Sequence, residues 1–356
     1  MEKETKKNIR DLTAAELAEF FTTIGEKPFR AKQVEEWLWQ KGVRTFDEMT
    51  NLSEGLRSKL KEHFTIHGVK VAEKQISSDR TIKNAFELYD SNITEGVLIP
   101  STTRMTACIS SQVGCSLSCK FCATGRLKRL RNIDADEIFD QVVHIKQQAE
   151  EHYKTPLTNI VYMGMGEPLL NYKNVLASID RITSPKGLGM SPRRITVSTA
   201  GIAKAIMRLG DDEVKFNLAL SLHAANDEKR NQIMPINEQN NLEVLAEALK
   251  YFYEKTGTRV TYEYIIFKDF NDELEDAREL AAFCKHIPCK VNIIEYNSID
   301  DGELQQADSG KVDAFAALLE SKNIVVNIRR SRGKDIDAAC GQLANKNEAA
   351  VHKELK

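Results

Sequence analysis

The chain has 356 residues, which at about 150 residues per domain predicts two or more domains and a sizeable core. Its 50 Lys and Arg residues nearly balance its 52 Asp and Glu residues, so the net charge of -2 does not indicate nucleic-acid or membrane binding by the surface as a whole. An apolar content of 42% with 29% charged residues excludes disordered, collagen-like and disulfide-scaffold classes.

The first 65 residues predict a small helical domain. They begin with charged residues and lack the apolar stretch of a secretory signal, and no run in the chain approaches about 18 apolar residues. We therefore expect a soluble, cytoplasmic protein that contacts no membrane. Thr13 and Glu16 have the spacing of a capping box, and apolar residues at helical spacing follow in 17–24, 29–38 and 56–64. We interpret residues 1–65 as an N-terminal helical accessory domain.

The remainder of the chain predicts an α/β fold. Residues 66–103 contain short alternating apolar runs and form a β-rich connector. Strand-like runs then span 159–163, 194–198, 216–220, 260–266, 291–295 and 325–328, and stretches of helical length span 134–152, 239–256, 272–286 and 308–322. Six or more βα units without a dinucleotide-binding glycine motif favour a full or partial barrel over a Rossmann sheet. Residues 342–356 are interpreted as a polar tail.

Three of the seven cysteines form a C-x3-C-x2-C motif in a predicted loop: Cys115, Cys119 and Cys122. An odd number of cysteines without an export signal argues against a disulfide framework. Thiolates are soft ligands that favour iron-sulfur clusters, zinc or copper(I). Structural zinc usually takes four protein ligands in two spaced pairs, so three cysteines favour an iron-sulfur cluster with one open iron. Zinc and simple packing remain alternatives at this point.

The cysteine loop resembles that of the radical S-adenosylmethionine (SAM) superfamily, in which three such cysteines hold a 4Fe-4S cluster that chelates SAM. The run from Cys108 to Cys115, with Phe121-Cys122-Ala123-Thr124-Gly125, is similar to the RNA adenine methyltransferases of the RlmN and Cfr type. The similarity extends from about residue 10 to residue 343. It implies a partial (βα)6-type radical SAM barrel in residues 104–341 and an RNA-binding role for residues 1–65.

Polar residues follow several predicted strands, and ligands bind at the carboxyl ends of barrel strands. These residues also have structural interpretations: Gly166 and Pro168 as a turn, Ser198 as a helix cap and His223 as a buried polar group with its hydrogen bonds satisfied. The family resemblance assigns SAM contacts to Gly166, Glu167, Ser198, Ser221, Leu222, His223 and Asn297.

The resemblance also implies radical chemistry at carbon 2 of adenine, an electron-poor atom that cannot attack a sulfonium methyl group. One SAM would methylate Cys340, and a second, cleaved reductively, would provide the radical that activates this methyl group. Cys108 would resolve the protein-RNA adduct through a transient disulfide with Cys340, and Glu95 would accept the carbon-2 proton. Cys284 and Cys289 match no functional position and are interpreted as packing residues.

Two basic runs, 126–131 and 329–334, flank this chemistry and are expected to contact RNA. The implied substrates are 23S rRNA at the peptidyl transferase centre and tRNA beside the anticodon. The implied partner is an electron donor such as flavodoxin or ferredoxin, and we expect a monomer. Pro168 and Val113 favour carbon 2 over the Cfr-type carbon-8 reaction, because the carbon-8 enzymes carry Ala and Cys there. A zinc-stapled RNA-binding module is a second, non-enzymatic alternative.

Overall fold

The computed structural model describes residues 6–300 and 302–346, so most of the predicted polar tail lies outside the described residues. The helices are α1 (Ala14–Thr23), α2 (Arg30–Glu35), α3 (Glu54–His63), α4 (Ala135–Tyr153), α5 (Tyr172–Thr183), α6 (Ala203–Asp211), α7 (Asp227–Ile233), α8 (Leu242–Thr256), α9 (Leu274–Phe283) and α10 (Ser309–Ser321). The strands are β1 (Lys7–Asn8), β2 (Phe64–Thr65), β3 (Lys70–Ile76), β4 (Ile82–Glu87), β5 (Ile93–Pro100), β6 (Met105–Cys108), β7 (Gln112–Val113), β8 (Arg131–Asn132), β9 (Asn159–Tyr162), β10 (Ile195–Thr199), β11 (Asn217–Ser221), β12 (Val260–Ile266), β13 (Cys289–Glu295) and β14 (Val326–Arg329). No helix in the described part of the chain has the length and apolar character needed to cross a bilayer.

The N-terminal residues form the predicted helices and pack against the rest of the protein. The Thr13 hydroxyl accepts from Glu16 N at 3.2 Å, and the Glu16 carboxylate accepts from Thr13 N at 2.7 Å, which confirms the capping box that begins α1. The Arg10 guanidinium binds the carboxylate of Asp140 on α4 at 2.9 Å, and both side chains are buried. Because an unpaired buried charge is costly, this ion pair holds the N-terminal helices on α4.

One ten-stranded sheet forms the centre of the molecule, in the order β14-β13-β12-β11-β10-β9-β6-β5-β4-β3. The strands from β14 to β6 are parallel, whereas β6, β5, β4 and β3 pair in antiparallel fashion. The predicted α/β fold with a parallel sheet is confirmed. All residues of β12 are buried, as expected for a strand covered on both faces.

The parallel strands determine where the predicted polar residues meet. Their carboxyl ends lie at one edge of the sheet, so the loops that follow β9, β10, β11 and β13 come together there. The cysteine loop lies between β7 and β8, a two-stranded antiparallel ribbon. The topology therefore brings segments from residue 112 to residue 297 to one site.

Candidate active site

A cavity opens at this edge of the sheet. Nine predicted site residues line it: Cys115, Cys119, Cys122, Gly166, Glu167, Ser198, Ser221, His223 and Cys340. Four predicted site residues do not line it: Leu222, Asn297, Cys108 and Glu95. The Leu222 side chain is fully buried in the main core, so a ligand in the cavity can be reached only by its backbone.

Backbone hydrogen bonds hold the cysteine loop in place. Cys122 N donates to Cys119 O at 3.2 Å, and Lys120 N donates to the carbonyl of Ile233 at the end of α7 at 3.0 Å. Gly114, which precedes the first cysteine, has a φ of +74°, and a Cβ there would lie 2.2 Å from Lys128 O. Only glycine fits that position, because it has both a left-handed backbone and no room for a side chain.

The three sulfurs suit the ligands of an iron-sulfur cluster better than they suit unbound thiolates. Burial, and then the neighbouring thiols Cys122 and Cys115, raise the pKa of Cys119. Three thiolates gathered in this way repel one another unless a cationic group lies between them, and an iron-sulfur cluster provides that positive charge. Among residues 6–300 and 302–346, no three His, Cys, Asp or Glu side chains are close enough to hold one metal ion. The three thiols nevertheless line one cavity, and thiolates are the donor set that holds an iron-sulfur cluster.

Glu167 joins two of the loops that line the cavity. Its carboxylate accepts from Ala200 N at 2.7 Å and from Leu169 N at 2.9 Å, and its own backbone N donates to Gln112 Oε1 at 2.9 Å. Burial raises the pKa of Glu167, while the two backbone donors oppose that effect. Glu167 thus connects the loop after β9 to the loop after β10 and to β7, and it presents a carboxylate at the cavity wall.

Hydroxyl and imidazole groups form another part of the wall. The hydroxyls of Ser198 and Ser221, on neighbouring strands, lie 3.3 Å apart. His223 has a left-handed φ of +58°, and its Nδ1 accepts from Ile265 N at 3.1 Å. Burial lowers the pKa of His223 to about 3. The ring is therefore neutral, and because Nδ1 is an acceptor, Nε2 carries the proton and is a donor.

Arg230 is a residue of this site that the sequence analysis missed. Its guanidinium is fully buried and donates to the carbonyls of Leu222 at 3.0 Å, Ala200 at 2.7 Å and Ser221 at 3.2 Å. Burial lowers its pKa to about 10, so it stays charged at neutral pH. It fixes the carboxyl ends of β10 and β11. One Arg in a polar helix carries no sequence signal that separates it from a surface residue.

Glu263, on β12, lines the cavity and was also not predicted as a site residue. Its carboxylate accepts from Asn292 Nδ2 at 2.8 Å and lies 3.5 Å from Arg329, the first residue of the second basic run. Burial raises the pKa of Glu263. The sequence of β12 does not single out Glu263, because both faces of this strand are buried and inward-facing and outward-facing positions do not alternate.

The segment carrying Cys340 is attached to the cysteine loop. Gly341 O accepts from Ala123 N at 2.7 Å, and Thr124 Oγ1 donates to Leu343 O at 2.6 Å. Asn297 Nδ2 donates to Cys340 O at 3.2 Å. Asn297 thus lies beside the cavity and contacts the Cys340 segment. These bonds place a thiol from the end of the chain beside three cysteines from residues 115–122.

Cys108 lies at the end of β6, buried among apolar side chains that include Ala338 and Leu343 of the Cys340 segment. Burial, and then the nearby Cys340 thiol, raise the pKa of Cys108 to about 12. Cys108 is therefore a neutral thiol next to Cys340. Both are free thiols in this structure.

Glu95, on β5, contacts the same segment from the other side. Its Oε2 accepts from Ala344 N at 2.9 Å and from Asn345 N at 3.1 Å, and Oε1 lies 3.7 Å from Lys83 Nζ. Glu95 therefore contacts the backbone of residues 344–345 and does not line the cavity.

Both basic runs contain cations that are ion-paired within the protein and cations that are exposed. In the first run, Arg131 forms bidentate ion pairs with Asp90 at 2.6 Å and Glu137 at 2.7 Å, so its charge is neutralised within the protein. Lys128 and Arg129 of that run are exposed. In the second run, Arg329, Arg330, Arg332 and Lys334 are all exposed, and two of them are also ion-paired, Arg329 with Glu263 at 3.5 Å and Lys334 with Glu295 at 2.9 Å.

Two family models match the chain. The "Ribosomal RNA large subunit methyltransferase N-terminal domain" matches residues 7–66, and the "Radical SAM superfamily" matches residues 109–281.

Curated relatives match over nearly the full length. A protein of Cytophaga hutchinsonii named "Probable dual-specificity RNA methyltransferase RlmN" is 61% identical over 96% of this chain and 93% of its own. Proteins with the same name from Christiangramia forsetii and Salinibacter ruber are 57% and 44% identical, over 97% and 98% of this chain and 98% and 96% of their own. The crystal structure of a radical SAM methyltransferase from Sphaerobacter thermophilus superimposes with a TM-score of 0.89 at 36% identity, covering 95% of this chain and 99% of that one.

Proposed function

The chain belongs to the RlmN family of dual-specificity radical SAM RNA methyltransferases, and on this premise we propose that it methylates adenine at carbon 2 in the peptidyl transferase centre of 23S rRNA and in tRNA beside the anticodon. The protein is an RNA methyltransferase that uses a 4Fe-4S cluster and SAM. The observation that carries the proposal is that Cys340 lines the same cavity as Cys115, Cys119 and Cys122. A thiol in that position is next to the group that holds SAM.

Each wall of the cavity has a role in this proposal. Cys115, Cys119 and Cys122 would hold the cluster. The cluster would supply the one-electron step, and SAM, two molecules per turnover, would supply the methyl group. The hydroxyls of Ser198 and Ser221 suit ribose hydroxyl groups, which are both donors and acceptors.

Cys340 accepts the methyl group and later carries the RNA. The bonds from Asn297 and Ala123 to the backbone of the Cys340 segment position its sulfur at the cavity. Cys108, a neutral buried thiol beside it, resolves the adduct: its sulfur bonds to the sulfur of Cys340, the bond from Cys340 to the former methyl carbon breaks, and that carbon keeps the electron pair and takes up the proton that Cys108 loses. Because Cys108 lies away from solvent among apolar side chains, competing thiols have little access to it.

Glu95 accepts the proton that leaves carbon 2 of the adenine. In this structure its carboxylate is held by Ala344 N and Asn345 N, so we propose that RNA displaces residues 344–345 when it binds. Displacement of these two backbone donors would expose the carboxylate oxygen to which the proton is transferred.

RNA enters over the exposed cations of the two basic runs, and the target adenine leaves its stack to reach Cys340. We further propose that the protein acts as a cytoplasmic monomer and receives electrons from a flavodoxin or ferredoxin.

The test is an assay with protein purified and loaded with cluster without oxygen. The protein is incubated with SAM, a strong electron donor, and either a 23S rRNA fragment or a tRNA, and the nucleosides are analysed by mass spectrometry. We expect 2-methyladenosine from wild type and none from Cys340→Ala. If 8-methyladenosine forms instead, the assignment of the reacting carbon is wrong. A protein that stays colourless and free of iron after loading would support the zinc-stapled RNA-binding module.

A further inference from the structure

Cys284 and Cys289 lie together at the edge of the barrel opposite the catalytic cavity. Cys284 follows the last residue of α9, and Cys289 is the first residue of β13. Cys289 pairs in register with Val260, the first residue of β12, so the pair lies at the amino ends of the parallel strands. The catalytic residues lie at the carboxyl ends. This pair is therefore separated from Cys108 and Cys340 by the length of the sheet.

The Cys289 thiol contacts the backbone of Cys284. Cys289 Sγ donates to Cys284 O at 3.6 Å, and the two thiols also interact with each other. The hydrogen bond from Cys284, and the positive charge of Arg259, lower the pKa of Cys289, whereas the pKa of Cys284 is raised. The thiols also differ in access: Cys289 is partly exposed, whereas Cys284 is buried, so Cys289 is the sulfur that a small molecule reaches first.

The charges around the two cysteines favour an anionic ligand. Both cysteines line a surface cavity of about 710 Å³ of empty space together with the exposed cations Arg259, Lys285 and Lys322. Among the described residues that line it, none is acidic. Cys289 is partly exposed, so a small molecule in the cavity can reach its sulfur.

A buried tyrosine gives a further indication. The Tyr262 hydroxyl is fully buried and has no hydrogen-bond partner within the described part of the chain. Burial, and then the thiols of Cys289 and Cys284, raise its pKa. A hydroxyl without a partner is costly in the interior, and a thiolate on Cys289 would give it an acceptor.

We propose that Cys284 and Cys289 form a redox-active dithiol that exchanges with the disulfide of an anionic low-molecular-weight thiol, independently of methyl transfer. In the first step the Cys289 thiolate attacks one sulfur of that disulfide, its S–S bond breaks, and one thiolate leaves and takes up a proton. In the second step Cys284 loses its proton and attacks the Cys289 sulfur, and the second small thiol leaves. The two cysteines lose two electrons and two protons, and the small disulfide is reduced to two thiols.

The sequence around the pair makes the product easy to identify. Trypsin cleaves after Arg278, Lys285 and Lys290, so the two cysteines fall on separate peptides, 279–285 and 286–290. An intramolecular disulfide therefore appears as one cross-linked peptide pair.

The experiment uses full-length protein loaded with its cluster, incubated without oxygen in mixtures of glutathione and glutathione disulfide, alkylated, digested and analysed by mass spectrometry. In wild type we expect the cross-linked pair to increase with the disulfide fraction. In Cys284→Ser we expect a stable adduct of glutathione on Cys289. In Cys289→Ser we expect Cys284 to react at least about tenfold more slowly than Cys289 reacts in Cys284→Ser, because the accessible sulfur is lost.

Cys340→Ser is the control that separates this pair from the catalytic thiols, and it should form the cross-linked pair as wild type does. Absence of the cross-linked pair from wild type in glutathione disulfide alone would overturn the proposal. Equal rates for the two single variants would contradict the division of roles between the sulfurs. Neither result depends on methyltransferase activity.

Discussion

Arg230→Met tests whether one buried guanidinium holds the cofactor loops together. Methionine has a similar length but donates no hydrogen bond, so the carbonyls of Ala200, Ser221 and Leu222 lose a charged donor. Each buried acceptor left without a partner costs about 1–3 kcal/mol. Removal of a buried charge recovers part of its desolvation penalty, and Leu222 O keeps a second donor, Ala224 N, at 2.7 Å. We expect a net loss of about 2–4 kcal/mol in the free energy of unfolding.

Urea unfolding followed by circular dichroism measures this loss, with Arg278→Met as the matched control. Arg278 is exposed and, among the described residues, pairs only with Glu275 at 2.6 Å on the same helix, so its removal should cost less than about 0.5 kcal/mol. If the two variants unfold at the same urea concentration, Arg230 does not hold these loops and the reasoning is wrong.

Three further predictions concern pH, the adduct and RNA binding. His223 has a lowered pKa, so the unfolded chain binds a proton more readily, and stability should fall as pH drops from about 6.5 towards 3; in His223→Gln this part of the pH dependence should be absent from acid unfolding curves. Cys108→Ala should leave RNA attached to Cys340 on denaturing gels, because no thiol resolves the adduct; normal turnover would contradict this role. Lys128→Ala should reduce the slope of log affinity against log salt by about 1 in RNA titrations, whereas Arg131→Ala should leave it unchanged because Arg131 is neutralised internally; equal slopes would refute the distinction.

Local patterns account for the parts of the fold that the sequence predicts. β12 spans Val260–Ile266 as predicted, because a continuous apolar run of this length suits a strand buried on both faces. The sequence predicts β3 only as part of the β-rich connector 66–103 and not its bounds, because its residues, Lys70–Ile76, alternate between half-buried and exposed positions at the end of the sheet. No strong apolar pattern distinguishes such an edge strand from a loop.

Contacts between distant residues account for what the sequence could not predict. Arg230 reaches Ala200, thirty positions earlier, and Glu95 binds the backbone of Ala344, 249 positions later. Motif spacing predicts Cys115, Cys119 and Cys122 as cluster ligands because they are close in sequence. The family pattern alone connects Cys108 with Cys340, which lie near each other in the structure, and their pairing stays a prediction.

The central claim is that Cys340 lies where the cluster cysteines present the methyl donor. Tandem mass spectrometry of the Cys340 peptide, from protein purified without oxygen, tests it most directly. We expect a methyl group on Cys340 in wild type and an unmodified thiol in Cys122→Ala, since that variant lacks a cluster ligand of the shared cavity. Full methylation of Cys340 in Cys122→Ala, or a wild-type methyl group on another residue, would contradict the account.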